Sequence, residues 1–325
     1  MNRLSVGEHV SLSPALKRAL VDRCIQSDLV AFTRRAFEVV VPEEQLHLNW
    51  HIRAMAYKLE QVRTGQIRRL IINVPPRHLK SITASVAFPA FILGHDPTTK
   101  IICASYSYDL AAKLSRDTRA VMRSAWYRRN FPAARISSDK DTELEFTTFK
   151  KGGRMSTSVG GTLTGRGGSL VIIDDPMKPD EAMSETSRKR VVQWFEGTLL
   201  SRLDSKSTDA IIIVMQRLHV DDLAGILLEK GGWEHLNLPA IAEEPERVQV
   251  GPDEFRHRDI GDVLDPVRES KHVLDEIKSN VGSPIFAAQY QQQPVPLVGN
   301  LIKREWLSYY DTRPEREPSD LIVIS

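Results

Sequence analysis

Short runs of consecutive apolar residues recur along this chain, and the stretches between them take a helical period. Leu70-Ile-Ile-Asn-Val74, Lys100-Ile-Ile-Cys-Ala-Ser-Tyr106, Leu170-Val-Ile-Ile173 and Ala210-Ile-Ile-Ile-Val-Met215 are too short for core helices and too uniformly apolar for half-exposed strands. Such runs mark strands covered on both faces, as in parallel sheets. Between them the spacing predicts helices over 11–40, with a break at Ser27-Asp28, over Gln45–Glu60 with Ile52, Met55 and Leu59 on one face, and over Tyr108–Tyr127. A helix over Lys80–Leu93 carries Pro89 as an awkward interior residue, and a long helix is predicted for Asp180–Leu203. Leu144–Phe149 and Met155–Val159 read as shorter strands joined by a hairpin turn at Lys150-Lys-Gly-Gly153, and Trp233–Leu238 as a further strand. Strand and helix alternating in this way predict an α/β fold, with a mainly parallel central sheet flanked by helices on both faces.

Polar residues gather where the apolar runs end. After Val74 the chain reads Pro75-Pro76-Arg77-His78-Leu79-Lys80-Ser81, a strand, a tight loop and a helix opening with lysine and serine. Phosphate binding needs that layout: an ammonium for the outer phosphates, a hydroxyl for magnesium, and loop N–H groups at a helix start. The usual glycines are replaced by Val74 and Leu79, so the same residues also fit an ordinary αβ connection. The run at 170–173 ends in Asp174-Asp175-Pro176, at the strand end where α/β sheets place ligands. In a nucleotide hydrolase the first carboxylate would hold the metal and the second would orient the attacking water; a strand-end turn is the alternative. The run at 210–215 ends in Gln216-Arg217, placed to sense and answer a terminal phosphate. The helix before the loop is placed to wall an adenine pocket, with His51 or Trp50 against the base or simply packed. Asp221 or Asp222 is expected as a helix cap rather than a metal ligand.

The chain of 325 residues is long enough for one large α/β domain with small additions, and 41% hydrophobic and 26% charged residues are those of an ordinary globular protein. No apolar run reaches membrane-spanning length and the N-terminus has no signal-peptide core, so a cytosolic location is expected. Cys24 and Cys103 match no zinc or redox spacing. Net charge is only +2, but Arg116, Arg119, Arg123, Arg128, Arg129 and Arg135 cluster. They fit either a solvated basic face or a contact with nucleic-acid phosphates. Residues 242–265, rich in Glu, Asp, Pro and Arg, read as an exposed connection. Two short helices follow near Val273–Ser279 and Ile285–Gln291, then a linker over Gln289–Pro296 and an apolar strand over Leu321–Ser325.

Taken in order, Asn49-Trp-His51, Pro75-Pro-Arg-His-Leu-Lys-Ser81, Ala104-Ser-Tyr106, Thr164-Gly-Arg-Gly167, Ile172-Ile-Asp-Asp-Pro176, Met215-Gln-Arg-Leu-His219, Asp221-Asp-Leu-Ala-Gly225 and Gln289-Tyr-Gln-Gln292 make the chain resemble the ATPase part of the large terminase subunit. That subunit is the motor that packs double-stranded DNA into tailed-phage heads. The resemblance implies a P-loop NTPase using ATP and Mg2+, with a helical segment over 1–44, the ATPase core over 45–242, a connecting subdomain and linker over 243–300, and the start of a ribonuclease H-like nuclease over 301–325. It implies phosphate contacts from the loop 75–81, Ser81 and Asp174 at the metal, and Asp175 as catalytic carboxylate where the family usually has glutamate. His51 stands near the family's adenine-contacting glutamine, Gln216 in its coupling motif, and Arg77 at the arginine of its deviant phosphate loop. Implied partners are duplex DNA, a portal protein, a small terminase subunit and further copies in a ring, in the host cytoplasm and with no membrane. The chain stops before the nuclease's first metal carboxylate, so no nuclease activity is expected, from a domain fragment or a truncated prophage product. A remnant that binds nucleotide, DNA or portal without turnover is the alternative.

Overall fold

The computed structural model describes residues 13–163 and 165–295. One sheet holds eight strands: β1 (Arg69–Asn73), β2 (Lys100–Ser105), β3 (Ile136–Asp141), β4 (Glu145–Thr148), β5 (Gly153–Ser158), β6 (Leu170–Asp174), β7 (Ala210–Met215) and β8 (Glu234–Asn237), in spatial order β3-β4-β5-β2-β6-β7-β1-β8. From β5 to β8 every pairing is parallel; β4 runs against both β3 and β5. The expected α/β class and mainly parallel sheet are therefore present. After β1 the chain crosses to β2 and later fills the gap with β6 and β7, so the carboxyl ends of β1, β7 and β6 lie side by side. A crevice at such a reversal of strand order is where open α/β sheets bind ligands.

The helices are α1 (Pro14–Ser27), α2 (Leu29–Val40), α3 (Trp50–Arg63), α4 (Phe88–His95), α5 (Tyr108–Arg123), α6 (Ala125–Asn130), α7 (Glu185–Trp194), α8 (Leu223–Lys230), α9 (Lys271–Val281) and α10 (Ser283–Gln289). Strand residues alternate between two cores. Leu70, Ile72, Cys103, Ile172 and Ile212 pack with Phe32, Ile52, Met55 and Phe91 on one face. Ile71, Ile102, Ile173 and Ile213 pack with Trp194, Phe195 and Leu227 on the other. The unbroken apolar runs are thus two interleaved half-runs, each with its own helical cover. Among the described residues no helix is long and apolar enough to cross a membrane.

Several elements differ from the sequence expectation. The helix expected over Gln45–Glu60 starts at Trp50, because Asn49 Oδ1 accepts from Trp50 N at 2.7 Å while its Nδ2 donates to Leu264 O at 2.7 Å. Pro89 is accommodated by a wide turn over Ile82–Ala87 ahead of α4. Proline has no N–H for the Ser85 carbonyl four residues back, and the buried Arg154 donates to that carbonyl instead. The long helix expected over Asp180–Leu203 is interrupted: α7 ends at Trp194 and wide and tight turns carry the chain to Arg202. β3, a polar edge strand, has no counterpart among the expected elements. Residues 242–265 are not an open connection, since β9 (Glu246–Gln249) and β10 (Phe255–Arg258) form a hairpin. At its open end Arg258 is buried, donating to Glu246 Oε2 at 2.8 Å and Asp262 O at 2.8 Å. The strand expected over Leu321–Ser325 lies outside the described residues, as does Thr164.

Candidate functional site

β1 delivers the loop to the crevice with its end fastened. Asn73 Nδ2 donates to Met215 O at 3.0 Å, and Asn73 Oδ1 meets His235 Nε2 at 2.8 Å, tying β1 to both neighbours. The chain turns at Pro76-Arg77 and enters the helix at Lys80. Arg77 and Leu79 both have left-handed backbone, φ 65° and 61°. This region costs a residue with a Cβ ~1–2 kcal/mol, and such strain collects at ligand loops. Leu79 therefore adopts the conformation for which a phosphate loop ordinarily uses glycine, and its half-buried side chain packs on the core beneath. Among the described residues the N–H groups of Arg77 to Ser81 find no acceptor, whereas Pro75 and Pro76 have no N–H to offer. Five free donors at a helix start are suited to an anion.

Five expected side chains meet at this point. Lys80, only 6% exposed, donates to Gln216 Oε1 at 2.6 Å and pairs with Asp175 Oδ2 at 3.1 Å. Ser81 Oγ donates to Asp174 Oδ1 at 3.1 Å. Asp175 is left-handed, φ 44°, and clamped from both sides: Tyr106 N donates to its carbonyl at 3.0 Å and its own N–H to Val214 O at 3.0 Å. Burial, and after it the Asp175 charge, push the Asp174 carboxyl up to about 6. Asp174 Oδ2 is buried without a hydrogen-bond partner. An orphaned carboxylate oxygen beside a serine hydroxyl is a hard-oxygen set that fits magnesium.

His51 sits apart from this cluster, across the loop. It is 1% exposed, its ring is edge-on to His78 at 5.4 Å, and neither of its ring nitrogens has a partner. A cavity of about 180 Å³ opens beside it, walled by Leu46, His51, Arg77, His78, Asp265 and Arg268. Arg77 is exposed there, with no ion pair among the described residues. His78 Nδ1 lies 2.9 Å from Pro76 O. Trp50 is not part of the cavity wall and lies under the Arg258 guanidinium, 5.6 Å from its ring centre. The Asp265–Arg268 wall had no signal in the sequence beyond a turn-like Asp-Pro.

Burial, with His78 adding to it, drives the His51 pKa from 6.5 to about 3, so the ring is neutral at physiological pH. A histidine depressed in the folded state contributes stability that is whole above about pH 6.5 and lost as pH falls towards 3. Thermal unfolding from pH 7 to 4 should therefore show a steep loss of stability in the wild type and a shallower one in His51→Gln. Equal slopes would contradict the buried, neutral ring.

One expectation is corrected. Arg217 does not face the crevice cluster: its Nε lies 3.0 Å from both carboxylate oxygens of Asp222, which also caps α8 through Gly225 N at 2.8 Å. The arginine-bearing helix is largely neutralised by acids distant in sequence. Arg116 pairs with Glu143, Arg119 and Arg123 with Asp141, and Arg129 with Asp22. Among the described residues only Arg128 and Arg135 of that cluster lack a carboxylate partner.

No family model matches the chain, and no curated protein matches it. Among solved structures it is similar to the large terminase of bacteriophage HK97, at 12% identity and a TM-score of 0.49 over 83% of this chain and 55% of that one. It is also similar to the large terminase of a thermophilic bacteriophage, at 12% identity and a TM-score of 0.42 over 76% and 56%. A structure of the same thermophilic-phage terminase in complex with ADP gives 11% identity and a TM-score of 0.38 over 71% and 52%. The chain spans about half the length of these terminases.

Proposed function

We propose that this protein is a magnesium-dependent ATP hydrolase whose turnover drives double-stranded DNA, as the ATPase part of a viral packaging motor. The observation that carries the hydrolase reading is the meeting of Lys80, Ser81, Asp174, Asp175 and Gln216 where β1, β6 and β7 end. The order of motifs along the chain supports the motor. Ser81 and Asp174 would hold Mg2+, which supplies charge neutralisation on the phosphate oxygens. Lys80 exchanges Asp175 and Gln216 for the outer phosphates of ATP. Asp175, released, accepts the proton of the attacking water, and Gln216 meets the terminal phosphate. The neutral His51 offers one donor and one acceptor to the base from the cavity across the loop. Arg77, exposed at the loop tip, is the candidate within this chain to reach the terminal phosphate; a neighbouring copy in a ring is the other source. A portal protein and a small terminase subunit are the partners this reading calls for.

One observation favours a second reading, nucleotide binding without turnover. Asp175 is spent on Lys80 and set on a strained backbone, and its side chain is one methylene shorter than glutamate. Phosphate release measured with and without covalently closed duplex DNA separates the readings. The motor predicts release that rises several-fold with duplex lacking ends, a gain that fades as salt rises because phosphate contacts release counterions. Binding of ATP with no release supports the second reading, and stimulation by single strands alone contradicts packaging.

A further inference from the structure

The stretch Gln289–Pro296 has the composition of a linker, yet residues 290–292 are bolted to the chain leaving β7 and β8. Gln291 and Gln292 are 5% and 3% exposed. Gln291 Oε1 accepts from Ile241 N at 3.0 Å, and its Nε2 donates to Ile241 O at 2.9 Å and Glu243 Oε1 at 2.8 Å. Ala240 N donates to Tyr290 O at 2.8 Å, so this half of the segment grips the chain leaving β8. Gln292 grips the other exit. Its Oε1 accepts from Arg217 N at 2.9 Å, and its backbone is left-handed, φ 56°.

That bond falls on the peptide joining Gln216 to Arg217. Gln216 is the residue whose side chain holds Lys80 at 2.6 Å, so one peptide separates the Gln292 acceptor from the phosphate-facing amide. The next peptide is fixed as well: Leu218 N donates to Asp222 Oδ2 at 2.9 Å and the Arg217 guanidinium is held by the same carboxylate. Residues 217 and 218 are thus anchored by Gln292 and Asp222, while the side chain of Gln216 points to Lys80. Packing alone would not require a glutamine there, nor an uncommon backbone conformation to present it. A left-handed residue without glycine is retained where its surroundings over-determine it.

We infer that Gln292 is a positioning residue for the terminal-phosphate contact: by accepting from Arg217 N it sets the peptide that aims Gln216. The inference rests on the reading of Lys80, Asp174, Asp175 and Gln216 as the nucleotide site. Its signature is selectivity by phosphate number. Gln216 meets only the terminal phosphate, so loss of the Gln292 acceptor weakens the triphosphate and spares the diphosphate. A purely structural role moves both together.

The experiment compares affinity for a non-hydrolysable ATP analogue and for ADP, both with magnesium, in wild type, Gln292→Asn, Gln292→Glu and Gln291→Asn. Asparagine tolerates the left-handed backbone but is too short to reach Arg217 N, whereas glutamate keeps the acceptor at full reach. Gln292→Asn is expected to lose about tenfold in analogue affinity, with ADP affinity held within about twofold, since a tenfold change is ~1.4 kcal/mol. Turnover falls in parallel, and Gln292→Glu recovers most of it. Gln291→Asn, which cuts bonds of similar burial away from Arg217, lowers thermal stability without changing the ratio of the two affinities. Equal losses for both nucleotides, or the same selective loss in Gln291→Asn, overturn the inference. Wild-type binding with Gln292→Asn unchanged overturns it alone; a wild type that binds neither nucleotide overturns the functional reading and the inference with it. If Gln292→Asn does not fold, Gln292→Glu must still match the wild-type affinity ratio, and a ratio shifted towards ADP overturns the inference.

Discussion

Lys80→Ala is expected to lower ATP turnover by roughly 10²–10³ or more, the loss typical of removing one preorganised charge-stabilising donor. The same substitution should weaken nucleotide binding, because among the described residues Lys80 is the one cation that forms an ion pair with either carboxylate of Asp174 and Asp175. Its effect on the free protein separates function from folding. In the structure Lys80 balances Asp175, whose side chain is 19% exposed, and donates to Gln216. Removing it leaves a carboxylate unpaired, but water reaches that group, so the destabilisation falls below the ~3–5 kcal/mol of a fully buried pair. Phosphate release and thermal unfolding on the same preparation check this. Turnover within threefold of wild type would show that Lys80 does not serve the phosphates.

Asp174→Asn is expected to move stability and activity in opposite directions. The carboxyl is 1% exposed and its folded pKa, about 6, lies above the ordinary 3.8. An acid raised on folding binds its proton more tightly in the folded state, so the protein loses stability as pH rises from about 4 to 6 and bears the full penalty at pH 7. Asparagine keeps an oxygen for the Ser81 hydroxyl without the charge. The metal-free variant should therefore unfold at a higher temperature than wild type at pH 7, and the advantage should disappear at pH 4. If Asp174 holds magnesium as proposed, turnover should fall by ~10² or more. A variant no more stable than wild type at pH 7 would contradict the burial penalty on this carboxylate.

What sequence could and could not reveal follows from the range of the interactions. The loop and the carboxylate pair were legible because both depend on residue type next to an apolar strand: Lys80-Ser81 after β1 and Asp174-Asp175 at the end of β6. Strand order was not, since the pairing of β1 with β7 joins residues that no local period connects. Leu79 looked like a broken motif, yet its φ of 61° shows the backbone keeping the glycine path despite a Cβ. The hairpin over 246–258 was hidden because a buried arginine, Arg258, with Glu246 and Asp262, stands where apolar residues would normally give the signal. Gln291 and Gln292 stand in one of the motifs, but their stretch reads as a linker for a related reason, as their burial is satisfied by hydrogen bonds to distant backbone. The arginine cluster shows the same limit for charge. Its neutralising acids, Asp22, Asp141 and Glu143, come from other elements, and charge read locally exaggerates a field that folding cancels.

The most direct test of the nucleotide site is a structure of the protein with magnesium and a non-hydrolysable ATP analogue. Lys80 Nζ, now 2.6 Å from Gln216 Oε1 and 3.1 Å from Asp175 Oδ2, should have left Asp175 for the outer phosphates, with Ser81 and Asp174 at the metal and the base in the cavity beside His51. An analogue bound elsewhere, or bound with Lys80 still held by Asp175 and Gln216, would contradict it.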